Sequence, residues 1–202
     1  MSAGHAVRQR AAAATLRLGP MRRQFYDLGE WTPDARDYAR RHRLDLDLVR
    51  AHAGHFAIML CKIFGDNDGS RVFQFAPDGV PAAVIEALGG DGHSVVDLVA
   101  WPTEAPWQFA TAIEEADVLG AWQMLQRGGA PLAVFDTPLA WLKAGCTDCV
   151  PISPDWSGYW LDRAGGPFVA QSVDGGRAVR DLLGPRAVRH RILVARQTAR
   201  AA

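Results

Sequence analysis

PLAVFDTPLAWLKAGCTD, CVPISPDWSGYWLDRAGG and PFVAQSVDGGRAVRDLLG follow one another without a gap from Pro131 to Gly184. They are three units of 18 residues: Pro131–Asp148, Cys149–Gly166 and Pro167–Gly184. Each opens with a short apolar run (Leu132–Phe135, Val150–Ile152, Phe168–Ala170), then has a polar turn and a helical segment. Strands buried on both faces of a parallel sheet read as continuous apolar runs, and parallel pairing needs a crossover, usually a helix. The spacing therefore predicts three short β–α units. Thr137 before Pro138 suits an N-cap with proline in the first turn. Ser153 or Asp155 can cap a helix over Trp156–Arg163, and Asp174 one reaching Leu183. Gly145, Gly165 and Gly184 stand where glycine stops a helix. Residues at matching positions differ, so the repeat is one of elements and not of sequence.

Upstream, Arg71–Ala76, Ala83–Leu88 and Ser94–Trp101 read as strands. The last two flank Gly89–Gly92 and predict a hairpin, so 71–101 is expected to be an antiparallel meander. The alternative for Ala83–Leu88 is a short helix. Pro102 ends the last strand. A helical region is expected from Thr103 or Glu104 to Arg127, broken near Gly120, with Trp107, Val118, Trp122 and Leu125 on its apolar face. The expected fold is α+β: a helical region over 21–65, the meander, then the three β–α units in a continuous mixed sheet, in a single domain over 21–202. Residues 1–20 are Ala- and Arg-rich without an acid, and are expected to be a disordered leader or a start placed too early, with Met21 as the true start.

Trp31 to His55 carries the most motif-like pattern of the front half. Thr32 or Asp34 can cap a helix over Ala35–His42, and a second helix starts near Asp45. Tyr38, Ala39, Leu44 and Val49 are spaced in a way that resembles the helix-turn-helix pattern, with Arg43 where the turn usually has glycine. Arg40, Arg41, Arg43 and Arg50 would then face phosphates; the other reading is a plain helical hairpin. Val49, Ala53, Phe56, Leu60 and Ile63 form a stripe that extends the second helix to Phe64. Asp66–Gly69 fails as a calcium loop, because Phe64 and Phe75 would fill its first and last ligand positions, and is read as a turn. The segment 186–200 alternates arginines with apolar residues and predicts a basic amphipathic helix.

The net charge of zero hides an uneven distribution. Residues 1–50 carry ten arginines against six acids, 51–176 five basic residues against fifteen acids, and 177–202 seven arginines against Asp181. Basic ends flanking an acidic body either attract that body or meet an acidic partner such as nucleic acid. Three cysteines and no long apolar run are expected of a cytoplasmic protein without a membrane partner.

Three constellations bear on chemistry. Asp136, Asp155 and Asp174, with Thr137, Ser153 and Ser172, fall at strand carboxyl ends, where open α/β sheets bind ligands; helix capping and turns explain the same residues. Gly175, Gly176 and Arg177 offer a candidate anion site at a helix start. Cys146 and Cys149 form a C-x-x-C that follows a helix instead of opening one, so it lacks the thioredoxin setting. For a metal it is half a site, and His52 and His55 are the candidates to complete it. No cofactor is called for. The leading expectation is a non-catalytic accessory or binding protein that contacts nucleic acid through its arginine-rich ends. The alternatives are a magnesium- or nucleotide-dependent enzyme using the three aspartates, and a protein–protein interaction module using the tryptophan-rich surface.

Overall fold

Gly54 separates the helical front of the chain from its first strand, in a computed structural model that describes residues 17–27, 32–65 and 71–195. Residues 17–27 form helix α1. Helix α2, Pro33–His42, is capped by Thr32, whose Oγ1 accepts from Ala35 N at 3.3 Å; α3, Leu46–Ala53, is capped by Asp45. Arg43 between them adopts the left-handed conformation at φ 55°, the role a glycine often fills. Helix α3 does not run on to Phe64. Gly54 sits at φ 64°, and a Cβ there would lie 1.9 Å from the Glu86 carboxylate, so the chain turns at a residue that only glycine satisfies. Strand β1 follows at once over Phe56–Gly65. The stripe Val49–Ile63 crosses the α3–β1 boundary without marking one buried face: Phe56 is buried, Leu60 exposed and Ile63 half-buried.

Strands β2 (Arg71–Phe75), β3 (Val80–Leu88) and β4 (Val95–Pro102) lie where the meander is expected, and Ala83–Leu88 is strand, not helix. Pairing goes further than a meander. A two-residue strand, β5 (Ala110–Thr111), pairs antiparallel with β4 and parallel with β2 at Val72–Thr111, which closes a barrel in the order β1-β2-β5-β4-β3. All five strands contribute to one interior cluster, with Met59, Phe73, Val84 and Leu98 among its members. Helix α1 adds Leu18 and Phe25 to that interior, and Leu18 is 1% exposed. Residues 17–20, expected to belong to a leader, are part of this helix; residues 1–16 lie outside the described residues. Glu86, 7% exposed, holds α1 and the α3–β1 junction by accepting from the Tyr26 hydroxyl and from His55 N at 3.0 Å. The opposite side chains of β1, β3 and β4 (Phe56, Ile85, Val99, Trp101) pack on Tyr38, Val49 and Ala53 of α2 and α3. Trp101 Nε1 donates to the Tyr38 hydroxyl at 3.0 Å. The buried positions of the helix-turn-helix-like pattern thus serve to dock both helices on the barrel.

The expected helix from 103 to 127 exists only at its end, as α4, Ala121–Gln126. Before it come β5 and β6 (Val118–Leu119). Asp97 decides this. Its carboxylate, 0% exposed, accepts from five backbone N–H groups: Leu98, Ala112 and Ile113 on Oδ1, Glu115 and Ala116 on Oδ2, at 2.8–3.1 Å. Donors held this way point at a side chain and not at carbonyls one turn back, so residues 112–116 cannot be helical. Gly120, at φ 77° and with its would-be Cβ 2.0 Å from Asp148 O, breaks the chain again.

The three units appear as expected: β7 (Leu132–Val134), α5 (Pro138–Lys143), β8 (Val150–Pro151), α6 (Pro154–Ala164), β9 (Phe168–Ala170) and α7 (Val173–Leu183). Thr137 caps α5. Ser153 is the N-cap residue of α6, without a side-chain cap bond, and Ser172, not Asp174, caps α7. The terminal segment is not a long helix. A 3-10 turn, Gly184–Arg189, leads to β10, Ile192–Val194, parallel to β9; the expected helix beyond 195 lies outside the described residues, as does the turn at 66–69. The α+β class stands, with the sheet divided in two. Beside the barrel lies a mixed sheet in the order β10-β9-β7-β8-β6, in which β7 meets β8 at the single parallel bridge Val134–Cys149 and β6 is antiparallel. Helix α5 buries Leu139, Trp141 and Leu142 toward the barrel, while α6 and α7 bury Leu161, Val179 and Leu183 with Leu132 and Val134. Among the described residues no helix is long and apolar enough to cross a membrane.

Replacing Asp97 by asparagine sets an NH₂ group against backbone donors and leaves buried N–H groups without an acceptor. Asp97→Asn is expected to lower stability by about 2–4 kcal/mol in denaturant unfolding. A loss within about 0.5 kcal/mol, the range of an ordinary surface change, would contradict the role given to this carboxylate.

Candidate functional site

Strands β7, β8, β9 and β10 run parallel, so their carboxyl ends share one edge. From β7 the chain crosses by α5 to β8 on one side; from β9 it crosses by α7 to β10 on the other. The adjacent strands β7 and β9 therefore send their connections apart, which is the topological switch point of an open sheet and opens a crevice there. A cavity of about 380 Å³ occupies it, lined by Phe135, Asp136, Ser172, Asp174 and Gly175 among others. Packing around Asp136 raises its carboxyl above the ordinary range. Asp155 is not in this cavity. It lines a larger cleft of about 860 Å³ that adjoins the first along Pro151, Ala178 and Leu182. The three aspartates thus share the edge without converging: two lie at the switch point and one in the neighbouring cleft.

The larger cleft runs between the barrel and the β–α layer. Its barrel wall carries Arg71, Trp107, Phe109 and Glu114; its other wall carries Ser153, Asp155 and Trp156 from the start of α6, and Asp181 from α7. Trp107 is 63% exposed and Trp156 50%. Glu114 holds a left-handed backbone at φ 61° and its N–H donates to Thr111 Oγ1 at 3.2 Å, at the rim of the loop that Asp97 gathers. The arrangement can stack, ion-pair and hydrogen-bond a ligand. The sequence pattern misses most of this site. Arg71 and Glu114 carry no local signal, and Trp107 is assigned to a helix that does not form; its place between Pro106 and Gln108, soon after Pro102, was the available hint of an irregular segment.

The donors of the candidate anion site have partners within the chain. Gly175 N and Gly176 N are engaged by Ser172, at 2.9 Å to its Oγ and to its carbonyl, and Arg177 pairs with Asp174 at 3.0 Å. A Cβ on Gly175 would stand 2.7 Å from Asp136 Oδ1, so a carboxylate already occupies the approach. The candidate metal ligands are scattered as well. Cys61, Cys146 and Cys149 lie in three different apolar clusters, His52 stacks on Trp122 at 5.6 Å between ring centroids, and His55 meets Phe25 edge-on at 4.5 Å. No group of three or more His, Cys, Asp or Glu able to hold a metal occurs among the described residues. Arg40, Arg41, Arg43 and Arg50 are all exposed; Arg40 pairs with Asp37 at 2.7 Å and Arg41 with Glu104 at 3.9 Å. Asp45 and Asp47 stand at the start of α3, the end that would approach a base edge.

No protein-family model, curated protein or solved structure matches this chain.

Burial pushes the thiols of Cys61, Cys146 and Cys149 up to about 12, the reverse of a reactive C-x-x-C. Their thiolate fraction at neutral pH is negligible. The native protein is expected to show no fast reaction with a thiol-specific disulfide reagent near pH 8, and to react fully once unfolded. A rapid stoichiometric burst from the native protein, abolished by Cys146→Ser, would show an accessible, activated thiol.

Proposed function

We propose that this protein is a non-catalytic binding module and that its ligand enters the cleft between the barrel and the β–α layer. The exposed pair Trp107 and Trp156, set on opposite walls of a cavity of about 860 Å³, carries the reading. Ligand sites of this volume range are common where domains or layers meet and at switch points of α/β sheets. Two partly exposed indoles lining one cavity favour a ligand that extends over them.

A thermal-shift screen of chemically varied small molecules and short peptides tests it. Ligands that raise the melting temperature of the native protein are expected to lose most of that effect with Trp107→Ala/Trp156→Ala. Ligands that stabilise this double variant as well as the native protein would place the site elsewhere.

A second reading, nucleic-acid contact through Arg40, Arg41, Arg43 and Arg50, is supported by the exposure of all four side chains on α2, α3 and their turn. It is weakened by the pairing of Arg40 and Arg41 with carboxylates. It expects binding that falls steeply with salt and that drops further on replacing Arg40 and Arg41 by glutamine. Absence of binding even at low salt would end this reading.

A further inference from the structure

The cleft has a sign. Arg71, Glu114, Asp155 and Asp181 are exposed on its walls, three carboxylates against one guanidinium. None of the four enters an ion pair among the described residues. The carboxylates come from three separate elements: the Asp97-bound loop, the start of α6, and α7. The surrounding body adds to the same sign, because residues 51–176 carry fifteen acids against five basic residues. A cleft lined by one sign of charge between low-dielectric walls concentrates the opposite sign. Phosphate-bearing ligands are disfavoured here, since they would meet three carboxylates.

The tryptophans narrow the ligand further. An indole face attracts a cation placed over it, and arginine and lysine lay apolar stems along an aromatic surface while keeping the charged head wet. Trp107 and Phe109 on one wall and Trp156 on the other supply such surfaces, with Glu114, Asp155 and Asp181 within the same cleft to receive the heads. A guanidinium also matches a carboxylate with two parallel hydrogen bonds. The cleft, of about 860 Å³, is partly open to solvent and larger than a single ion needs, so it has room for a short peptide segment.

From this we infer that the cleft binds an arginine- or lysine-bearing peptide segment of a partner protein, whose cations pair with Glu114, Asp155 and Asp181 and stack on Trp107 and Trp156. The inference rests on the cleft being the ligand site and names the ligand's class. It makes the charge of the ligand, not its shape alone, the property that is read. Asp97 acts as a positioning residue, because four of its five backbone bonds hold the loop that carries Glu114.

The test uses the full chain and a labelled short peptide of alternating arginine and alanine, with an aspartate–alanine peptide of equal length as control. Binding is read by fluorescence anisotropy and by the protein's tryptophan emission. The arginine peptide is expected to bind and to change that emission, and the aspartate peptide to do neither. Glu114→Gln/Asp155→Asn/Asp181→Asn is expected to weaken binding at least about tenfold, and Trp107→Ala about fivefold. Asp37→Asn and Asp78→Asn, outside the cleft, are expected to leave it unchanged. Circular dichroism and melting temperature establish that each variant is folded, and the single variants Asp155→Asn and Asp181→Asn stand in if the triple variant is not. No binding of the arginine peptide, equal binding to the charge variants, or equal binding of the aspartate peptide would overturn the inference. If neutral ligands from the screen still depend on Trp107 and Trp156 while the arginine peptide fails, the cleft survives as a site and only the cationic class falls. If neither depends on those tryptophans, both readings fall together.

Discussion

One buried carboxylate sets the relation between the two halves of this molecule. Asp97 lies within β4, fully shielded from water, and gathers five backbone N–H groups from residues 98 and 112–116. Burial pushes its carboxyl up to about 6, while the bonds from Glu115, Leu98, Ala116 and Ile113 pull the other way. A group in that balance is costly to bury unless every lone pair has a donor, and the chain supplies the donors by folding a loop around it. That loop carries the chain from β5, which closes the barrel, to β6, which edges the second sheet. The same loop is a wall of the cleft.

The barrel works as a platform with two used faces. Its interior is filled by Phe73, Met59, Leu98 and smaller side chains and by Leu18 and Phe25 from α1. Its outer face on β1, β3 and β4 takes α2 and α3 and also α5 of the β–α layer, so Trp101, Tyr38 and Trp141 share one cluster. This shared cluster ties the halves together, and the cleft remains where they do not meet. Its walls come from rigid elements and from a loop pinned by Asp97, which is the pre-organisation that lets a binding site hold its shape without a ligand.

The binding reading and the cationic ligand class draw on different observations. The first rests on two exposed indoles facing a common space. The second rests on three carboxylates in that space that enter no ion pair among the described residues, and on an acidic body around it. Arg40, Arg41, Arg43 and Arg50 of α2, α3 and their turn do not line the cleft, and Arg40 and Arg41 pair with Asp37 and Glu104.

Local signals were readable wherever the physics is local. The 18-residue spacing places β7, β8 and β9, because each strand is a short apolar run and each crossover must span the same sheet. Thr32, Asp45 and Thr137 mark helix starts because a cap bonds to residues two or three positions on. Periodicity misled at the α3–β1 boundary: Phe56, Leu60 and Ile63 keep helical spacing with Val49 and Ala53, yet Gly54 turns the chain into a strand in which Phe56 is buried and Leu60 exposed. Asp97 bonds to residues 15 to 19 positions away, and no pattern in 103–117 announces that a distant carboxylate will take its donors. The cleft is assembled from residues near 71, 107–116, 151–156 and 178–182, so its composition and sign exist only after the barrel has closed against the β–α layer. The sequence by itself determined the three β–α units of 131–184, the Thr137 cap and the acidic strand ends. The tertiary structure alone decided that the strands before them close into a barrel, that Asp155 parts from Asp136 and Asp174, and that two tryptophans meet three carboxylates across a gap, because those outcomes depend on contacts between residues far apart in the chain.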